Sequence, residues 1–141
     1  MIGSVQVPSD QGAKGHSDAD VLLHAIVDAM LGALNAGDIG RHYPDSDPAL
    51  KDAESSRFAR ETAALVRAEG WKLVNVDATV LLERIRLAPH VPEIEQRLAE
   101  RLDIDVAGVN VKAATNEGLD AIGEGRAIAC HAVVLIARDR R

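Results

Sequence analysis

The stretch from Ile128 to Ala137 is apolar except for His131 and rich in Ala, Val and Ile, and it limits the fold more than any other feature. A membrane span needs about 18 consecutive apolar residues, and this run falls well short. It reads instead as a strand buried on both faces, which other elements must cover. The preceding chain supplies them. Leu73 to Leu82 reads as a strand with Val74, Val76, Ala78 and Val80 on one face, and Val109 to Ala113 as a shorter one. Between and before these lie helical patterns. In Ser17 to Ala36, Val21, Leu22, Ala25, Ile26, Ala29, Met30 and Ala33 share a face, with Ser17 as cap and Gly37 as stop. A second helix spans about Ala53 to Glu69 and closes at Gly70; Pro89 and Pro92 open a third that runs to about Leu102. Ile2 to Val7 reads as a short strand entering a loop.

The order strand, helix, helix, strand, helix, strand, strand predicts an α/β fold. It is a single-domain sandwich in which helices cover one face of one β-sheet. Few helices remain for the other face, so oligomerisation is its economical cover. Phe58, Tyr43 and Trp71 are the only aromatics, which leaves the core to Ala, Val, Leu and Ile. A net charge of −6, with so few rings, excludes the basic and stacking surfaces that nucleic acids require. Cys130 is the single cysteine, so disulfide staples are excluded; it reads as a small core residue. No apolar window suits a membrane, and the first residues lack the order of a signal peptide, so the expected location is cytoplasmic.

The residues suited to chemistry cluster in order. Ser17 is placed to cap a helix, with Asp18 and Asp20 in its first turn. Histidines flank that cap. His16 stands beside free N–H groups at a helix start, where phosphates bind. Asp20, His24 and Asp28 recur every fourth residue, so the imidazole lies between two carboxylates able to orient it as a metal ligand. Asp38-Ile39-Gly40 and Tyr43-Pro44-Asp45-Ser46-Asp47-Pro48 follow. That second run reads either as a turn whose carboxylates cap its own amides or as a sugar-hydroxyl site. Arg86-Leu87-Ala88-Pro89-His90 joins a strand to a helix start. Lys112 through Gly118 leaves a strand with Thr115, Asn116 and Glu117 in succession, a set suited to phosphate and divalent-cation contacts or an ordinary polar loop. The charges of Glu124-Gly125-Arg126 are free to pair with each other or across an interface.

Together, Gly15-His16-Ser17-Asp18-Ala19-Asp20 with His24 and Asp28, Gly37-Asp38-Ile39-Gly40, Tyr43 to Pro48, Leu87-Ala88-Pro89-His90 and Asn110-Val111-Lys112-Ala113 closely resemble the 2-C-methyl-D-erythritol 2,4-cyclodiphosphate synthase family. The motifs run in family order over essentially the whole chain, residues 1–141, read as one such domain. The resemblance implies a homotrimer, assembled through the uncovered sheet face, with active sites between subunits. Each would convert a cytidine-diphosphate-linked methylerythritol phosphate into a cyclic diphosphate plus CMP, by metal-assisted intramolecular phosphoryl transfer in the non-mevalonate isoprenoid route.

By motif position the resemblance makes His24 a ligand of Zn2+ and Glu117 the holder of a second ion, Mg2+ or Mn2+. His16 and Ser17 contact the phosphates, and Thr115 stabilises the transition state with His16. Asp38, Ile39 and Gly40 bind a sugar, and Tyr43, Asp45, Ser46 and Asp47 the methylerythritol part. Leu82, Arg84, Arg86, Leu87 and Ala88 line the cytosine, while Asn116 adjoins the diphosphate. The other two zinc ligands would come from an Asp-x-His pair on an N-terminal strand ahead of Ile2, which this sequence lacks. Ala114 stands where the family has Thr, Ala121 where it has Phe, and Glu124-Gly125-Arg126 reverses an Arg-Gly-Glu order. The missing zinc ligands and the Ala114 and Glu124 departures motivate a second reading from another class, a non-catalytic trimeric relative that binds CMP-like ligands.

Overall fold

A computed structural model describes residues 1–9 and 19–140. Helix α1, Val21–Ala33, buries Leu22, Leu23, Ile26, Val27, Met30 and Leu31, the face its periodicity predicts. Its cap is Asp20, a correction to the expected start at Ser17, which lies outside the described residues. Asp20 has extended backbone and its Oδ1 accepts the Leu23 N–H at 3.1 Å. The same carboxylate accepts the N–H groups of Gly3 at 2.9 Å and Ser4 at 2.8 Å. Those bonds explain how a carboxylate can be fully buried.

Residues 2–5 form a tight turn where a strand was expected. Ile2 and Val5 exchange backbone hydrogen bonds of 2.9 and 3.1 Å, and Gly3 and Ser4 between them both have positive φ, 59° and 64°. That is the signature of a two-residue primed turn. It tucks Ile2 and Val5 into the core, each 5% exposed.

The segment expected to be turn-rich contains a short helix, α2, Ile39–His42, capped by Asp38. Helix α3, Ser55–Ala68, begins and ends close to its predicted limits and buries Phe58, Ala59, Ala63 and Val66. Strand β1, Trp71–Leu81, follows Gly70, and helix α4, Val91–Leu102, begins where Pro92 fits its first turn. Strand β2 is Val109–Ala114, α5 is the single turn Asp120–Gly123, and β3 is Ala129–Arg138.

The strands form one sheet in the order β2-β1-β3, with β2 parallel and β3 antiparallel to β1. Helices α1, α3 and α4 pack on one face, as predicted, over Val76, Ala78 and Val80 of β1 and Val109 and Val111 of β2. Within the protomer the opposite face is open, and the expected second cover of β3 is not supplied by this chain's own elements. β3 is covered on one side only: Val133 is 70% and Leu135 57% exposed, while Cys130, Ala132, Val134 and Ile136 pack inward. Apolar composition alone cannot reveal that alternation. Val74 also points outward, because a register shift between Leu73 and Asn75 breaks the period of β1.

Candidate active site

The parallel pair β1 and β2 runs in register to Leu81 and Ala114, and both chains then leave the sheet at its carboxyl edge. Ligands of α/β sheets bind beyond such edges. Two of the predicted segments start there. The first runs from Leu82 to Ala88. Leu82 is buried and donates its N–H to Ala114 O at 3.0 Å, which extends the pairing by one residue. Leu87 is buried, Arg84 and Arg86 are exposed, and Ala88 opens a 3-10 turn that leads into α4. Arg84 Nη2 donates to the carbonyl of Glu124 at 2.8 Å, and its guanidinium lies against Gly125, where a side chain would collide with it.

The second segment, Thr115 to Gly118, is a tight turn. Asn116 O accepts the Leu119 N–H at 2.9 Å, and Glu117 and Gly118 have φ of 54° and 75°. Thr115 Oγ1 accepts the Glu117 N–H at 3.3 Å, so the Thr115 hydroxyl keeps its own hydrogen for an outside acceptor. The exposed Glu117 carboxylate stands at the tip. Asn116 Nδ2 reaches Asp120 at 3.0 and 3.2 Å. That contact, with the amides of Ile122 and Gly123, holds the Asp120 carboxyl below its usual range. The turn sits on Glu83, a residue not singled out from sequence: Oε2 accepts the Asn116 N–H at 3.1 Å and Oε1 the Gly118 N–H at 3.2 Å. Glu124 and Arg126 pair with each other at 2.7 Å, one of the two alternatives their charges allowed.

A second group of predicted residues gathers on the helical side. Asp28 Oδ1 accepts the Ile39 N–H at 2.7 Å and so fastens α2 to α1. Asp38 Oδ1 accepts the Arg41 N–H at 2.9 Å, and Gly40 lies just above it. Tyr43 stacks on Phe58 with ring centroids 4.3 Å apart, and burial pushes its hydroxyl above the usual range. Asp45 and Ser46 are exposed; Asp47 Oδ1 accepts the Ala49 N–H at 2.9 Å, which bears out the self-capping turn. His24 is half-buried, with Nε2 2.8 Å from Ser55 Oγ at the start of α3.

The expected bracing of His24 by Asp20 and Asp28 is not built. Among the described residues the Asp20 carboxylate accepts the amides of Gly3, Ser4 and Leu23, and Asp28 that of Ile39. Among the described residues no three His, Cys, Asp or Glu side chains converge on a point. A zinc centre needs at least three protein donors, and the described residues do not make that set. The tip of the Thr115 to Gly118 turn fits a different cation. Mg2+ commonly takes one or two carboxylates, substrate phosphates and waters, and Glu117 offers an exposed carboxylate in that manner. His16 and Ser17 lie outside the described residues.

The profile of the YgbB family matches residues 1–137, and the chain belongs to that family. It is 51% identical to the 2-C-methyl-D-erythritol 2,4-cyclodiphosphate synthase of Geobacter metallireducens, over 98% of this chain and 88% of that protein. It is 52% identical to the enzyme of the same name from Gloeobacter violaceus, over 96% and 83%. Among solved structures it superposes with a TM-score of 0.89 at 34% identity on a 2C-methyl-D-erythritol-2,4-cyclodiphosphate synthase in its CDP-bound form, covering 97% of this chain and 89% of that one. It also matches the bifunctional IspDF of Campylobacter jejuni, with a TM-score of 0.94 and 36% identity, over 98% of this chain and 37% of that protein.

Proposed function

We propose that this chain catalyses the reaction for which its relatives are named, converting 4-diphosphocytidyl-2-C-methyl-D-erythritol 2-phosphate into 2-C-methyl-D-erythritol 2,4-cyclodiphosphate and CMP. It is thus a lyase of the non-mevalonate isoprenoid route. One observation carries the reading furthest: the segment expected to hold cytosine and the segment expected to hold the diphosphate leave the carboxyl ends of neighbouring parallel strands.

The substrate carries its own nucleophile. An oxygen of the 2-phosphate attacks the phosphorus nearer the methylerythritol. A P–O bond closes the ring as the bond to the CMP oxygen breaks, and CMP leaves with the electron pair. The protein's task is to fold the substrate back and neutralise charge. Leu82 to Ala88 holds the cytosine, and the Thr115 hydroxyl donates to a phosphate oxygen on which charge builds. Asn116 borders the diphosphate, and His16 and Ser17 add phosphate contacts. Asp38, Ile39, Gly40, Tyr43, Asp45, Ser46 and Asp47 receive the sugar portions. Glu117 would hold a divalent ion, Mg2+ or Mn2+, which when bound would supply charge neutralisation at the diphosphate. His24 offers one imidazole toward zinc; no step is assigned to that metal.

The helical-side group and the strand-edge group are each knit by their own hydrogen bonds, and a homotrimer would set one protomer's first group against its neighbour's second. The exposed sheet face, with Val74, Val133 and Leu135, supplies apolar surface for such an assembly. No described helix is long and apolar enough to cross a membrane; a cytoplasmic location suits the reading. The non-catalytic alternative is disfavoured because relatives at 47–52% identity are named as synthases. Incubation with the diphosphocytidyl substrate and Mg2+ tests the choice. Release of CMP supports turnover, and CDP binding without CMP release would return the alternative.

A further inference from the structure

We infer that Glu83 is a positioning residue that presents Glu117 to the divalent ion, an inference that rests on the function proposed above. Glu117 has φ 54°, a conformation that a residue with a long side chain adopts at some cost. The turn is closed from above by the 2.9 Å bond between Asn116 O and the Leu119 N–H. From below, each Glu83 oxygen takes one amide, that of Asn116 at 3.1 Å and that of Gly118 at 3.2 Å. These amides flank Glu117 on both sides, so one carboxylate fixes the backbone before and after the ion-binding residue. Hydrogen bonds to an ionised acceptor are stronger than neutral ones, which suits a clamp on a strained turn.

Placement gives the clamp a second consequence. Glu83 follows Leu82 directly in the segment expected to hold cytosine, while its acceptors reach the diphosphate turn 33 and 35 residues later. The nucleoside end and the ion end of the substrate are therefore held by backbones tied through one side chain. Glu83 touches neither the substrate nor the ion in this account. It acts by keeping Glu117 at a set distance from the cytosine segment.

The test uses Glu83→Ala and Glu83→Gln. Glutamine keeps the length and one acceptor oxygen but turns an N–H2 donor toward the second amide, so it should fall between Ala and Glu. Mn2+ affinity is read by electron paramagnetic resonance in the presence of CDP, and the exchange of the Asn116 and Gly118 amides by NMR. Glu83→Ala should weaken Mn2+ binding about tenfold, the equivalent of one charge-assisted hydrogen bond. It should speed exchange at both amides. Glu83→Gln should show a smaller change of the same kind, and it serves alone if the alanine variant does not fold. Unchanged Mn2+ affinity, or unchanged exchange at both amides, overturns the inference. Neither readout needs turnover, so a chain that releases no CMP would defeat the proposed function without deciding the clamp.

Discussion

Replacing Asp20 with alanine should be among the most damaging single changes in the described part of the chain. Among the described residues its carboxylate accepts the N–H groups of Leu23 in the first turn of α1 and of Gly3 and Ser4 in the N-terminal turn. Losing an N-cap side chain costs about 1 kcal/mol. Each amide left without an acceptor costs roughly 1 to 3 kcal/mol when water cannot reach it. The Gly3 bond is buried and the Ser4 bond partly so, so the sum is about 3 to 5 kcal/mol. A further fraction follows if Ile2 and Val5 lift from the core. For a chain of this size that should lower Tm by on the order of 10 °C. Asp20→Asn keeps one acceptor oxygen and should lose roughly half as much. Urea unfolding followed by Trp71 fluorescence at a fixed protomer concentration measures it. A loss below about 1 kcal/mol for Asp20→Ala would refute the reasoning that this carboxylate ties the N-terminal turn to α1.

Other outcomes follow from the same geometry. Burial, reinforced by Asp20, pushes the Cys130 thiol up to about 11, so a thiol reagent at pH 8 should react far more slowly with the native chain than in urea. Because the folded pKa lies above the unfolded one, the contribution of this thiol to stability is full below about pH 8.5 and is lost as pH rises through the folded value near 11. Cys130→Ala should remove that part of the alkaline decline, as unfolding curves across pH would show. On the proposed homotrimer, Leu135→Lys places charge on the exposed sheet face and should lower the mass measured by light scattering toward that of a monomer; a mass unchanged from that of the parent chain would argue against assembly through this face. In Gly123→Ala the new carbon would meet the backbone of Gly118, with the Gly118 Cα and O both at 2.8 Å. The displaced Glu117 turn should then lower CMP release on the order of 10²-fold. Glu117→Gln should raise the Mg2+ needed for half-maximal CMP release, with little effect on Tm.

Much of the fold was legible because local signals agreed. Helix α3 and helix α4 carry strong amphipathic patterns bounded by Gly70 and by Pro89 and Pro92, and their observed limits lie close to those predicted. The start of α1 was not legible, since the sequence pattern puts the cap at Ser17 and Asp20 in the first turn, while residue type alone does not separate Ser from Asp as a cap. Contacts with Gly3 and Ser4, distant in sequence, belong to Asp20. The exposed side of β3 was hidden for a related reason: an apolar run gives strand propensity but does not say which face is covered. The site divided the same way. Asp38, Tyr43 and Glu117 stood in recognisable runs, whereas Glu83 is a lone acidic residue past a strand end whose partners are set by sheet pairing. The expected bracing of His24 failed because spacing shows which residues share a helix face, and not which amides claim the carboxylates first.

Phosphorus NMR of this chain with the diphosphocytidyl methylerythritol phosphate and Mg2+ tests the central claim most directly. The account predicts that CMP and a cyclic diphosphate appear in equal amounts as the substrate signals disappear. A linear phosphate product formed by attack of water, or substrate left unchanged at saturating Mg2+, would contradict it.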